Sequence, residues 1–232
     1  MCGFFITGTD TGVGKTLIAG SVARALALQG RRVGVMKPFE SGCRCEGRVV
    51  IPDDALFLRT MAGAQDDLAL ICPYALVRPL APAIAAHKQR VQIDLRKITA
   101  AFKRISTRYE ITLVEGAGGI MVPINRYHLL IDVVRLLNLP LIVVARTALG
   151  TINHTLLTVK EALRAGIRVR GIILNKMTPE IDESEDTNPA LITRLTRIPI
   201  LGQMPYIPVE KRRDLDYLAA LAQSNIDLSS FV

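Results

Sequence analysis

The chain has no tryptophan, and aromatic residues make up only 5% of its 232 positions. That scarcity argues against the stacking platform on which single-stranded nucleic acids bind. Basic residues outnumber acidic ones, 29 to 21, for a formal charge of +8, but they come in short groups such as Arg31-Arg32 and Lys211-Arg212-Arg213. The expected result is a solvated surface that favours small anions, with no nucleic-acid partner. Long hydrophobic runs are missing too: stretches such as residues 141–145 fall far short of the ~20 residues of a membrane span. No basic region followed by a long apolar segment opens the chain, so a soluble, cytoplasmic protein is expected, with no membrane partner. Cysteine is sparse. The four present are Cys2, Cys43, Cys45 and Cys72, and the gap in Cys43-Arg44-Cys45 is shorter than the Cys-x-x-Cys of zinc or redox sites, so reduced thiols are expected. Half the residues are apolar, enough for a sizeable core.

The informative stretch comes early. The apolar run Phe4-Phe5-Ile6 leads into Gly8-Thr9-Asp10-Thr11-Gly12-Val13-Gly14-Lys15-Thr16, and a helical pattern begins at Leu17. A strand that ends in a glycine-rich turn and feeds a helix aims backbone N–H groups and the positive helix end at one spot. An anion belongs there. Lys15 would add a point charge toward the β- and γ-phosphates of a nucleotide, and the Thr16 hydroxyl suits the accompanying Mg²⁺. Gly8 lies one residue further from Gly14-Lys15-Thr16 than G-x-x-x-x-G-K-[ST] requires, so the loop is a variant.

Beyond it, Ile18, Val22, Ala25 and Leu26 fall at helical spacing, with a stop near Gln29-Gly30. A strand over 33–36 ends at Lys37-Pro38, completing a β-α-β unit and placing Lys37 at the sheet edge where ligands bind. Residues 39–52 read as a loop over that edge. Asp53-Asp54 reads as the acidic cap of a helix reaching about Ala62. Residues 68–76 read as an edge strand broken by Pro73, and Pro79-Leu80-Ala81-Pro82 as the start of a short helix. Ile98, Ala101, Phe102 and Ile105 mark an amphipathic helix. Then Ile111-Thr112-Leu113-Val114 reads as a buried strand whose tip carries Glu115, ahead of Gly116-Ala117-Gly118-Gly119; a carboxylate there helps hold Mg²⁺ opposite Thr16. Strands over 141–145, 169–174 and 199–201 alternate with a helix from Thr151 that turns Ile152, Leu156, Val159 and Leu163 to one face, a helix around 190–195 and one past Lys211. A polar acidic loop covers 179–187. The alternation implies a doubly wound α/β fold, one mostly parallel sheet with helices on both faces, in a single domain over residues 1–232.

Together these segments resemble the ATP-dependent dethiobiotin synthetase family over residues 5–208. The phosphate loop is similar to that family's extended loop, extra residue included. Lys37-Pro38-Phe39-Glu40-Ser41-Gly42 resembles its Lys-Pro-x-x-[Ser/Thr]-Gly element, and Glu115 to Gly119 its Glu-Gly-Ala-Gly-Gly element. Pro73-Tyr74 with Ala81-Pro82, Gly150 to Thr155, Gly171 to Asn175 and Gly202 to Pro205 agree further. The resemblance implies a P-loop NTPase-like fold and closure of 7,8-diaminononanoate by carbon dioxide into a cyclic urea at the expense of ATP. It implies that Lys15 and Lys37 grip the γ-phosphate and carbamate, and that Thr16, Asp54 and Glu115 bind Mg²⁺. Gly12, Val13, Gly14, Lys15, Thr16, Glu115, Asn175, Met204, Pro205 and Tyr206 would hold the nucleotide. Thr11, Lys37, Ser41 and Gly118 would lie near the diamine or carbamate, and Gly150, Thr151 and Asn153 would place a helix N-terminus on the substrate carboxylate. In the family that helix comes from the neighbouring subunit, which implies a homodimer with composite sites.

Departures from the family pattern are Gly12, where some relatives carry an acidic residue, Ile120 after the glycines, and a short segment between Gly42 and Pro52. The alternative reading is a partitioning or septum-positioning ATPase switch that acts through protein partners. Such switches carry a second lysine early in the phosphate loop, where this chain has Thr9, Asp10 and Thr11.

Overall fold

The computed structural model describes residues 2–232. In chain order its elements are β1 (Cys2–Gly8), α1 (Lys15–Leu28), β2 (Val33–Met36), β3 (Phe39–Ser41), β4 (Arg44–Glu46), β5 (Val49–Ile51), α2 (Asp53–Ala62), α3 (Leu68–Ile71), β6 (Tyr74–Leu76), α4 (Pro82–Lys88), α5 (Leu95–Ser106), β7 (Ile111–Gly119), α6 (Leu130–Leu137), β8 (Leu141–Arg146), α7 (Thr151–Arg164), β9 (Val169–Asn175), α8 (Ser184–Thr196), β10 (Ile200–Met204) and α9 (Leu215–Asn225).

Six strands form one parallel sheet in the order β10-β9-β8-β1-β7-β2. Alternate residues of each strand feed opposite cores, as a period of two requires. Phe4 and Ile6 of β1 join the side chains of α1, α2 and α9 on one face, whereas Phe5 joins those of α5 and α6 on the other. Strands buried on both faces explain the continuous apolar runs at residues 111–114 and 141–145. The doubly wound α/β fold is therefore present. Because β1 pairs with β7 on one side and β8 on the other, the chain switches direction across the sheet at the carboxyl end of β1. Crevices at such switch points are where open α/β sheets bind ligands.

Several local expectations change. The segment 39–52 is ordered: β3 pairs with β6, and β4 and β5 form an antiparallel hairpin around Gly47-Arg48, with Gly47 at φ 61°. Residues 68–76 divide into the turn of helix α3 and the strand β6, since Pro73 ends the helix and has no N–H to continue a ladder. Strand β7 runs through the glycines to Gly119 instead of stopping at Glu115, with an irregular register beside Gly8. On α7 the buried side chains are Thr151, Thr155, Thr158, Val159 and Ala162. Of the four apolar residues expected inward there, only Val159 is fully buried, and Leu163 is 47% exposed.

Candidate active site

The phosphate loop is shaped by glycines at two tight places. A Cβ on Gly8 would stand 2.6 Å from the Asp10 carbonyl oxygen, 2.8 Å from Val13 Cγ2 and 2.9 Å from Lys15 Nζ. This is the packing reason for a glycine at the start of the loop, because Asp10, Val13 and Lys15 all close over it. Gly14 takes φ 86°, in the left-handed region, and a Cβ there would meet the Asn175 amide at 2.1 Å. Gly14 is also the N-cap of α1, and no side chain caps that helix, so its first-turn N–H groups face the loop's interior. Lys15 curls over the loop and donates to the Asp10 carbonyl at 3.1 Å.

Residues just past the end of β2, within β7 and at the start of α2 bring a charged cluster against this loop. Lys37 Nζ lies 2.6 Å from Asp54 Oδ2 and 2.7 Å from Glu115 Oε1. Thr16 Oγ1 donates to Glu115 Oε1 at 2.8 Å and stands 3.5 Å from Lys37 Nζ. Burial pulls the Lys37 ammonium down, but Glu115 and Asp54 more than offset it, so Lys37 is raised above its ordinary range and stays charged. For Lys15 burial prevails, and the neighbouring Lys37 adds to it, so Lys15 is lowered despite the attraction of Glu115.

Thr16, Asp54 and Glu115 form an all-oxygen set of the kind a hard cation takes. Glu115 Oε2 is buried with no hydrogen-bond partner, which leaves lone pairs for such an ion. The residues fit Mg²⁺. With only two carboxylates, and no group of three His, Cys, Asp or Glu among the described residues arranged to hold a metal, phosphate oxygens and water would have to complete its shell.

These groups line a cleft of about 360 Å³. Of the residues marked in the sequence, Thr11, Gly12, Gly14, Lys15, Thr16, Lys37, Ser41, Asp54, Glu115, Gly118 and Asn175 line it. Val13 lies beneath the loop, fully buried, and its carbonyl accepts the Asn175 amide at 2.9 Å. Met204 is buried in β10 beside Asn175, and neither it nor Pro205 and Tyr206 reaches the cleft wall. Gly150, Thr151 and Asn153 are outside the cleft of their own chain; the Thr151 hydroxyl donates to the Arg146 carbonyl at 2.6 Å.

Asp53 and Asp54 share a first turn but not a direction. Asp53 pairs with Arg44 at 2.9 Å, while Asp54 turns to Lys37, and neither side chain caps α2. Instead Glu40 accepts the N–H groups of Asp54 and Ala55, each at 3.0 Å, and burial lifts its carboxyl to about 7 against those two bonds. Glu40 had been an unassigned position inside the Lys-Pro-x-x-Ser-Gly element. At the opposite end of the cleft, Lys176, Met177, Ile207 and Arg212 were also unmarked, and adjacency to Asn175 was the one sequence signal for the first two.

A family model described as an AAA domain matches residues 2–212. An ATP-dependent dethiobiotin synthetase of Thermodesulfovibrio yellowstonii (strain ATCC 51303 / DSM 11347 / YP87) is 38% identical, with 99% of this chain and 98% of that protein covered. The chain belongs to the ATP-dependent dethiobiotin synthetase family. A synthetase of the same name from Bacillus subtilis (strain 168) is 43% identical over 88% of this chain and 87% of its own. The MinD cell division protein of Aquifex aeolicus superposes with a TM-score of 0.57 at 19% identity, covering 100% of this chain and 94% of that one, which shows a common fold and no more. The switch proteins share the fold alone, whereas the synthetase family matches in sequence over nearly the whole chain.

Proposed function

We propose that this chain closes 7,8-diaminononanoate with carbon dioxide into dethiobiotin, using one ATP and releasing ADP and phosphate. The observation that carries the reading is the convergence of Lys15, Thr16, Lys37, Asp54 and Glu115 on one cleft at the switch point, in a member of this family.

The chemistry asks for what these residues offer. One amine takes up carbon dioxide as a carbamate and loses a proton. A carbamate oxygen attacks the γ-phosphorus and ADP leaves, giving a carbamic-phosphoric anhydride. The second amine attacks the carbamoyl carbon, phosphate departs, and the urea ring closes. Each stage concentrates negative charge, so positioned cations and backbone N–H groups supply most of the help. The loop around Gly12 and Gly14, with the bare N-terminus of α1, would cradle the phosphates. Lys15 and Lys37 would approach the transferred group from two sides. Thr16, Asp54 and Glu115 would hold Mg²⁺, which draws charge from the phosphate oxygens. Asn175 would face the adenine, near Met204, Pro205 and Tyr206, and Thr11, Ser41 and Gly118 would border the diamine or carbamate.

We further propose a homodimer in which Gly150, Thr151 and Asn153 of one subunit serve the cleft of the other. Leu149 at 85% and Leu157 at 61% exposure flank that segment as apolar surface in want of a partner. Among the described residues no helix is long and apolar enough to cross a membrane. The reading places the enzyme in the cytoplasm as one 232-residue α/β unit, where its free thiols would stay reduced.

The test supplies purified protein with Mg-ATP, isotope-labelled bicarbonate and the diamine. Label is expected in a cyclic urea, with ADP formed in equal amount. Nucleotide turnover that ignores the diamine and rises with a protein partner would favour the switch instead.

A further inference from the structure

We propose that Glu40, which need touch no ligand, is the positioning residue of this site: its carboxylate clamps the first turn of α2 and so fixes Asp54 opposite Glu115. The inference rests on the reading of Asp54 and Glu115 as ligands of a divalent cation.

A helix start leaves its first N–H groups without intrahelical partners. The position before α2 is Pro52, which has no side-chain acceptor, and Asp53 points away to Arg44. Both carboxylate oxygens of Glu40 are engaged there, Oε1 with Asp54 N–H and Oε2 with Ala55 N–H. Two bonds to consecutive amides fix both the position and the rotation of the turn. A single-oxygen cap from the preceding residue would fix less.

The clamp is itself held. Glu40 lies in β3, whose pairing with β6 puts Glu40 opposite Ala75. Its own carbonyl accepts the Cys43 thiol at 3.3 Å, and the residue is only 5% exposed. Asp54, by contrast, has a side chain 45% exposed and one side-chain partner, Lys37. Left to itself, such a carboxylate would sample several rotamers, and an ordered ligand needs its backbone anchored. Glu40 stands three residues after Lys37, so one short segment carries both the ammonium that meets the carboxylates and the clamp that aims one of them. Groups that orient metal ligands typically contribute about 10–100-fold to metal affinity.

The experiment measures Mn²⁺ binding in the presence of ADP by electron paramagnetic resonance, and ADP binding without metal by calorimetry. Glu40→Gln replaces one acceptor oxygen with an NH₂ that faces a backbone donor. Glu40→Asp keeps the charge but is too short to reach both amides, and it serves if the first variant does not fold. Both are expected to weaken Mn²⁺ binding about 10–100-fold with metal-free ADP affinity unchanged. In an Asp54→Asn background, Glu40→Gln is expected to add little, because it acts through the residue already lost. Wild-type Mn²⁺ affinity in Glu40→Asp, an equal fall in metal-free ADP affinity, or full additivity with Asp54→Asn would each overturn the proposal. Product formation by the wild type is scored separately, so failure of the ring-closing activity and failure of the clamp are distinguishable.

Discussion

Lys37 Nζ and Glu115 Oε1 are 2.7 Å apart, with side chains 5% and 1% exposed. A pair this deep persists because each charge leaves the other no better partner, and Asp54 adds a second carboxylate on the lysine's open side. Removing one member of a buried pair typically costs about 3–5 kcal/mol, because the survivor is stranded. Lys37→Met is expected to lose stability on that scale in urea unfolding and to lower turnover about 10²–10³-fold, the usual loss of a group that stabilises charge in the transition state. Wild-type turnover in a folded Lys37→Met protein would remove Lys37 from the chemistry.

Gly8→Ala tests the lengthened loop. The new methyl would collide with the Asp10 carbonyl and Val13 at under 3 Å, and overpacking of this kind costs about 1–3 kcal/mol. The loop would open to relieve it, so ADP affinity by calorimetry is expected to fall more than stability does. Unchanged ADP binding would mean that the loop tolerates a side chain there.

The thiols should sort by burial. Cys45 is exposed, whereas Cys43 and Cys72 are buried, and burial pushes the Cys43 thiol up to about 12 and Cys72 higher still. At pH 8, iodoacetamide followed by mass spectrometry is expected to label Cys45 within minutes and to spare Cys43 and Cys72 until the protein unfolds. The same shift has a stability sign. The folded thiol keeps a proton that the unfolded one loses above about pH 9, so this contribution is intact below pH 9 and is lost as the pH rises toward 12. Melting temperatures of Cys43→Ala should therefore fall less steeply than wild type between pH 9 and 11; parallel curves would contradict it.

Away from the cleft, Asp66 is pinned by the Arg108 guanidinium at 2.6 Å and the Tyr109 hydroxyl at 2.5 Å, with its side chain 2% exposed. Tyr109→Phe removes a hydrogen bond to a buried charge and is expected to cost about 1.5–3 kcal/mol. Turnover per folded molecule should stay at the wild-type value, which makes this variant a control for stability loss alone. A specific loss of turnover would connect this corner of the fold to the site.

Much of the frame was legible because short, strongly patterned elements have few alternatives. Strand β2 falls where the run Val33 to Met36 put it, and α1 ends beside Gln29. Helix α6 was not read from the sequence, although Asp132 and Arg135 stand three residues apart as the polar side of its short Leu, Ile and Val run. Helix α7 misled through its apolar residues. Its outward leucines imitate a core stripe, while threonines whose hydroxyls find local acceptors, as Thr151 does on the Arg146 carbonyl, go inside.

The sequence by itself determined the phosphate loop, the end of β2 at Lys37, the buried strand that carries Glu115, and the alternating order of strand and helix, because each depends on residues close together in the chain. Tertiary structure alone decided what those residues do to one another. Thr16 and Glu115 are 99 positions apart and share a hydrogen bond. Lys37, Asp54 and Glu115 meet because the crossover places β7 between β1 and β2. The role of Glu40 was hidden for the same reason: α2 is capped from β3, 14 residues away, while Asp53 and Asp54 at its own start read as the cap and do not serve as one.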